Sequence, residues 1–162
     1  MTLPRFHPVR LIATWFGSGD LPKAPGTWGS LAALPFAWAM LSFGPNWLLP
    51  AASLVVYLVG IRVSQLYANS LGRPDPGPVV IDEVAGQWLT LVPLGFTSQK
   101  LFGSDLWGYA AGFALFRLFD IVKVWPANWM DSNLKGGLGI MSDDMVAGLY
   151  GAICLGALLM LL

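Results

Sequence analysis

Charged side chains are scarce in this chain of 162 residues. Asp, Glu, Lys and Arg make up 11% of the residues and hydrophobic residues make up 56%, whereas a typical soluble domain carries about 25% charged residues. This balance predicts a membrane protein, and the length predicts a single domain. The net charge is zero and no basic patch stands out, so nucleic acid is excluded as an expected partner.

Cysteine and histidine are almost absent. The single cysteine, Cys154, cannot form a disulfide within the chain, and it has no basic neighbour in sequence that would activate it as a nucleophile. The single histidine, His7, lies near the beginning of the sequence. No apolar core with a small-residue cleavage site follows the first ten residues, so we expect no removable signal peptide.

Apolar segments dominate what is present. Five of them are candidates for membrane helices: residues 28–43, 47–61, 84–96, 106–125 and 145–162. They predict an all-α fold, a compact bundle of about five membrane helices packed closely through small residues. Residues 84–96 would reach only about 20 Å as a helix, so this segment either spans the membrane or re-enters it.

Lys and Arg are distributed unevenly between the predicted loops. With five crossings and the N-terminus inside, eight basic residues fall on the inner side: Arg5, Arg10, Lys23, Arg62, Arg73, Arg117, Lys123 and Lys135. Only Lys100 falls on the outer side. The positive-inside rule therefore favours this orientation, which places all the polar motifs described below on the cytoplasmic face.

Residues 117–148 concentrate charge between two apolar segments. Arg117, Asp120 and Lys123 recur at a spacing of three, which would place them on one face of a helix that we expect to end at Pro126. A glycine-rich loop and then Ser142, Asp143 and Asp144 follow, at the expected start of the last helix. Carboxylates facing basic side chains are typical of a site for Mg²⁺ and a phosphate monoester.

Each part of this stretch also has a structural interpretation. Ser142 would be a good N-cap, and Asp143 and Asp144 suit the positive end of a helix dipole. Arg117 and Asp120 could form a buried ion pair without a catalytic role. The combination of these residues favours a functional site.

Two further polar regions complete the pattern. Residues 17–30 form a loop rich in Gly and Pro whose polar tips are Lys23 and Thr27, although Thr27 would also serve as a helix cap. Residues 66–80 lead to Asp82 and Glu83, which stand at the head of the third apolar segment. Carboxylates again lie at a membrane boundary.

Separated motifs resemble the bacterial phosphatidylglycerophosphatase A family. They are PKAPGTWGSL at 22–31, IDEVAGQW at 81–88, FRLFDIVKVWP at 116–126 and GGLGIMSDDMVAG at 136–148. The resemblance implies a helical, Mg²⁺-dependent lipid phosphatase, multi-pass in the bacterial cytoplasmic (inner) membrane. Its site would face the cytoplasm and convert phosphatidylglycerophosphate to phosphatidylglycerol and phosphate.

The resemblance and the residues together suggest roles. No Asp-x-Asp pair is present for an aspartyl-phosphate intermediate, so metal-assisted attack by water remains. We expect one or two Mg²⁺ ions to bind four carboxylates: Asp82, Glu83, Asp143 and Asp144. Asp120 is a further catalytic candidate. Five residues are expected to bind the phosphate: Lys23, Thr27, Arg117, Lys123 and Gly137. The number of metal ions, the identity of the general base and the oligomeric state stay open, and a headgroup transferase or a small cation transporter is the alternative.

Overall fold

Helices form nearly all the regular structure of residues 3–98 and 101–161, which the computed structural model describes. They are α1 (Pro8–Ala13), α2 (Pro25–Phe43), α3 (Leu48–Leu71), α4 (Ile81–Leu91), α5 (Asp105–Val122), α6 (Ala127–Asn133) and α7 (Gly136–Met160). Short 3₁₀ turns occupy Ser18–Asp20, Val92–Phe96 and Leu101–Gly103. These ranges contain no strand, which confirms the all-α prediction.

α4 is the central helix of the bundle. It packs against α2, α3, α5 and α7, and eight of its 11 residues are buried. The 3₁₀ turn that follows brings Gly95 next to Leu41 and Asn46, where the chain passes from α2 to α3. α4 and this turn together would cover about 27 Å. Residues 81–96 therefore run along the bundle toward the connection between α2 and α3 instead of turning back.

The outward faces of the surrounding helices are apolar. Large exposed side chains include Trp38 on α2, Leu58 on α3, Ile121 on α5 and Ile153 on α7. An apolar surface of this extent indicates contact with lipid. Among the described residues, two helices are long and apolar enough to cross a membrane by length and hydropathy alone, α3 and α7. The five predicted crossings are therefore not confirmed, and Lys100, the one outer basic residue, lies outside the described residues.

The predicted C-terminal ends of two helices, α3 and α5, are wrong. α3 continues ten residues beyond Ile61 to Leu71, because its last turns pack against α1 and the core. α5 ends at Val122, not at Pro126, and Lys123 is its left-handed C-cap with φ 48°. Lys123 is therefore not on the helix that carries Arg117 and Asp120.

The glycine-rich stretch is also helical, not a loop. α7 begins at Gly136, and a Cβ at Gly137 would collide with the carbonyl oxygen of Ile61 on α3. Glycine here permits close packing of helices. Asp143 and Asp144 lie about two turns inside α7, and the N-cap position belongs to Lys135. The capping interpretation of Ser142, Asp143 and Asp144 is consequently wrong.

α4 and α7 approach each other backbone to backbone at two glycines. A Cβ on Gly148 would lie 2.5 Å from the carbonyl oxygen of Gly86, and a Cβ on Gly86 would lie 2.5 Å from the carbonyl oxygen of Asp144. A real Cβ does not tolerate such contacts, so only glycine allows this separation. The crossing of α4 and α7 thereby fixes where Asp144 stands relative to the start of α4.

We predict that Gly148→Ala will destabilise the protein because the new methyl group forces α4 and α7 apart. Overpacking of this kind costs about 1–3 kcal/mol. The matched control is Gly156→Ala on the same helix, where the new Cβ would meet Pro93 at an ordinary 3.8 Å. Thermal unfolding in detergent measures both variants. Equal melting temperatures for the two would contradict the proposed close crossing.

Candidate active site

A pocket of about 540 Å³ opens at the end of the bundle where α2, α4 and α7 begin and α5 ends. Its wall includes residues from all three polar regions of the sequence: 17–30, 66–83 and 117–148. Seven carboxylates and two lysines line it: Asp75, Asp82, Glu83, Asp120, Asp131, Asp143, Asp144, Lys123 and Lys135. The pocket is therefore strongly acidic, and alone it would repel a phosphate group.

Three of these carboxylates form a compact cluster. Asp82 and Glu83 lie in the first turn of α4, and Asp144 projects from α7, whose backbone touches α4 at Gly86. One oxygen from each of the three carboxylates lies within 4.8 Å of the others. Like charges so close together repel each other unless a cation or a proton intervenes. Oxygen ligands from carboxylates are the set that Mg²⁺ or Ca²⁺ binds in proteins, so the residues fit a divalent cation.

The environment of Asp82 and Glu83 favours their protonated forms when no cation is bound. Burial raises the pKa of Glu83 from its ordinary 4.5 to about 8, and the neighbouring Asp144 and Asp120 carboxylates contribute. Burial and the adjacent Glu83 raise the pKa of Asp82 well above its usual range. Acids perturbed by burial and by like charges are typical of functional sites.

Lys123 bridges two other acids of the pocket. Its Nζ lies 2.8 Å from Asp131 Oδ1 and 2.7 Å from Asp143 Oδ2. Burial lowers the pKa of the ammonium group, but the hydrogen bonds to Asp131 and Asp143 raise it more, so the pKa is raised above its ordinary value. Asp143 thus pairs with Lys123 and is not one of the three clustered carboxylates. The geometry favours a role for Asp143 in holding Lys123 over the predicted role as a cation ligand.

Arg117 and Asp120 form an ion pair at the end of α5, with 2.5 Å between Arg117 Nη1 and Asp120 Oδ2. Asp120 lines the pocket. A Cβ at Gly26 would collide with the Glu83 carboxylate and would lie 3.1 Å from Arg117 Nη1. Glycine at position 26 therefore lets the start of α2 pack directly against Glu83 and Arg117.

Lys23, Thr27 and Gly137 lie beside the pocket and not in its lining. Lys23 is exposed before α2, and Thr27 is in the first turn of α2, whose N-cap is Ala24, so Thr27 is not the cap. The N–H of Gly137 donates to Gln65 Oε1 at 2.9 Å. Residues close to them in sequence line the pocket instead: Pro25, Gly26, Gly136 and Gly139.

The site predicted from the sequence omitted Asp75, Asp131 and Lys135. Asp75 lies in the loop between α3 and α4, where burial raises its pKa although Lys123 lowers it. Asp131 lies on α6 and Lys135 precedes α7. Asp131 belongs to the charged stretch 117–148, but its orientation depends on the Lys123 bridge. No local pattern distinguishes Asp75 from an ordinary loop residue.

An acidic, cation-competent pocket at the end of a lipid-facing helical bundle fits the class of membrane-associated proteins that use a divalent cation. A sequence profile of the family described as phosphatidylglycerophosphatase A matches residues 11–159. The chain belongs to this family of phosphatases. This membership leaves the transporter and headgroup transferase alternatives without support.

Individual relatives agree with the family match. The chain is 44% identical over 146 residues to phosphatidylglycerophosphatase A of Escherichia coli, covering 90% of this chain and 80% of the relative. It is 37% identical over 147 residues to the Haemophilus influenzae protein of the same name, covering 91% and 86%. A Bacteroides thetaiotaomicron relative, 39% identical over 158 residues and covered to 94% in both chains, is named putative phosphatidylinositol-3-phosphatase. No solved structure matches this chain.

We predict that, with divalent cations chelated, stability will fall as the pH rises from about 5 to 8. The folded state raises the pKa of Glu83 to about 8, so in this window it binds more protons than the unfolded state, and deprotonation favours unfolding. The measurement is the melting temperature against pH in EDTA. Glu83→Gln should make this slope shallower, because one of the acids with a raised pKa no longer titrates. A melting temperature that is constant or rises with pH in both proteins would show that Glu83 is not destabilised by its surroundings.

Proposed function

We propose that this protein is a lipid phosphatase of phospholipid biosynthesis that hydrolyses phosphatidylglycerophosphate to phosphatidylglycerol and phosphate. The observation that carries the proposal is the cluster of Asp82, Glu83 and Asp144 in a pocket at the end of an apolar bundle. Family membership supports the reaction, and the apolar outer faces support a lipid substrate whose acyl chains stay in the membrane.

The cofactor in this proposal is Mg²⁺. Asp82, Glu83 and Asp144 would hold it, because they supply three carboxylates within reach of one another. A bound Mg²⁺ would offset the charge of the phosphate and of the acidic pocket, and would lower the pKa of the attacking water. The acidity of the wall supports this requirement, since seven carboxylates outnumber the two lysines and the phosphate monoester is itself an anion.

Other residues of the pocket have roles that follow from their pairing. Asp120 lines the pocket, lies outside the three-carboxylate cluster and is oriented by Arg117, so we assign it to accept the proton of the attacking water. Lys123, held by Asp131 and Asp143, keeps a fixed positive charge in the wall. Lys135 is exposed at the edge of the pocket, where it would attract the anionic headgroup. The reaction consumes one water and breaks the bond between phosphorus and the terminal glycerol oxygen. The products are inorganic phosphate and phosphatidylglycerol, whose terminal glycerol carbon then carries a free hydroxyl.

The substrate is distinguished from other phosphorylated lipids by its second phosphate. Phosphatidylglycerophosphate carries a phosphodiester between the lipid and the terminal phosphomonoester, whereas phosphatidic acid does not. Phosphatidylinositol 3-phosphate is the second candidate, because a relative 39% identical to this chain is named putative phosphatidylinositol-3-phosphatase.

We predict a higher kcat/KM for phosphatidylglycerophosphate than for the other two lipids in mixed micelles with Mg²⁺. Released phosphate measures each rate with the purified protein. Preference for phosphatidylinositol 3-phosphate would move the assignment to the second candidate. Equal rates on phosphatidylglycerophosphate and phosphatidic acid would refute selection by the inner phosphodiester.

Asp144→Asn should reduce activity at low Mg²⁺ by about 100-fold, because the variant loses a charged cation ligand while keeping its shape. The loss of activity in Asp144→Asn should be smaller at high Mg²⁺. Asp20→Asn is the matched control, since Asp20 pairs with Arg10 near the surface and lies outside the pocket lining. The measurement is phosphate release across a Mg²⁺ titration. Normal activity of Asp144→Asn at low Mg²⁺ would remove Asp144 from the proposed ligands.

We also propose that five helices cross the inner membrane, with residues 84–96 as the third crossing and the pocket facing the cytoplasm. Ser132 lines the pocket and Ser98 lines a second cavity at the opposite end of the bundle, so the two serines report on opposite sides. The asymmetry of Lys and Arg supports a cytoplasmic pocket.

In a Cys154→Ala background, Ser98→Cys should react with an impermeant maleimide added to intact cells. Ser132→Cys should react only after the membrane is permeabilised. Labelling of Ser132→Cys alone in intact cells would reverse the orientation. Labelling of both positions would rule out an arrangement in which the two ends lie on opposite sides of the membrane.

A further inference from the structure

Gln87 presents an unusual polar group inside the bundle. The residue lies in the middle of α4 and is 0% exposed. Neither Oε1 nor Nε2 of its side chain has a hydrogen-bond partner among the residues that the structure describes. Leaving a buried amide unpaired costs about 1–3 kcal/mol, so native proteins rarely keep one without a function.

The nearest unmatched group on the same helix belongs to the candidate site. Glu83 precedes Gln87 by four residues, so the two side chains lie on one helix face with Cβ atoms about 5–6 Å apart. The Oε2 atom of Glu83 is likewise buried without a hydrogen-bond partner among the described residues. An amide donor and a carboxylate acceptor are complementary. The two atoms make no direct hydrogen bond, and one bridging water would satisfy both.

Other buried polar side chains of the bundle differ from Gln87. Ser30 donates to the carbonyl of Gly26, and Ser53 donates to the carbonyl of Ala85. The one hydroxyl proton of Thr90 lies within reach of the carbonyls of Gly86 and Gly148. Each of these hydroxyl groups is satisfied by nearby backbone. Packing of the bundle therefore explains the three hydroxyl groups but not the amide of Gln87.

We propose that Gln87 is a positioning residue for the cation site: its amide donates through one water to Glu83 Oε2 and fixes the orientation of that carboxylate. Gln87 does not line the pocket, so it acts through Glu83 and not on the substrate. Partners behind metal ligands commonly change metal affinity by 10–100-fold when they are removed. The proposal rests on the proposed function only in taking Glu83 as a ligand of a divalent cation.

The test compares cation affinity with stability in Gln87→Met, which keeps the length of the side chain and removes the amide. Binding of Mn²⁺ alone to the purified protein, followed by electron paramagnetic resonance of the free ion, gives the Kd without any lipid. We expect a Kd about 10-fold higher than wild type. The melting temperature in EDTA should be equal or higher, because methionine removes the desolvation cost of an amide whose Oε1 stays buried without a partner. Gln87→Leu is a second variant with the same expected result.

Thr90→Val is the control, because it removes a buried but satisfied polar group one turn further along α4. It should lower the melting temperature by about 2–4 °C and leave the Mn²⁺ Kd unchanged. An unchanged Kd in both Gln87 variants would overturn the proposal. A weaker Kd accompanied by a loss of stability like that of Thr90→Val would overturn it too, since Gln87 would then be structural. Normal Mn²⁺ binding without hydrolysis of any lipid would refute the proposed function and leave this inference standing.

Discussion

The close crossing of α4 and α7 is the constraint on which the site depends. Gly86 and Gly148 let the two backbones touch, and the same contact places the carbonyl of Asp144 against α4. Three carboxylates repel one another at such separations unless they are protonated, so packing of the helices must hold them together before any cation arrives. The apolar contacts of the central helix supply that stabilisation, and a divalent cation would relieve the remaining repulsion.

The pocket combines two kinds of acid in different surroundings. Asp82, Glu83 and Asp144 share a cation-competent position, whereas Asp131 and Asp143 share the single positive charge of Lys123. This division accounts for five of the seven carboxylates that line the cavity. The cluster of three carboxylates would bind an exchangeable divalent cation. The other two carboxylates bind the ammonium group of Lys123, which is part of the chain.

Much of this arrangement is predictable from sequence because it rests on local signals. Apolar segments and scarce charge predict the helical class, and charge beside apolar segments predicts that residues near Asp82, Arg117 and Asp144 are functional. The start of α7 was mispredicted because glycines usually indicate a loop, whereas Gly137 serves contact with α3. The spacing of Lys123 predicts a helical position, but a left-handed cap ends α5 there. Asp75 and the division of the acids depend on tertiary contacts that no local pattern carries.

The location of the cation tests the central claim most directly. Crystals of the protein soaked with Mn²⁺ should give an anomalous scattering peak within coordination distance of Asp82, Glu83 and Asp144, and the peak should disappear in Asp144→Asn. A peak beside Asp131 and Asp143 alone, or none in the pocket at saturating Mn²⁺, would contradict the account, because the three clustered carboxylates would then not be the cation site.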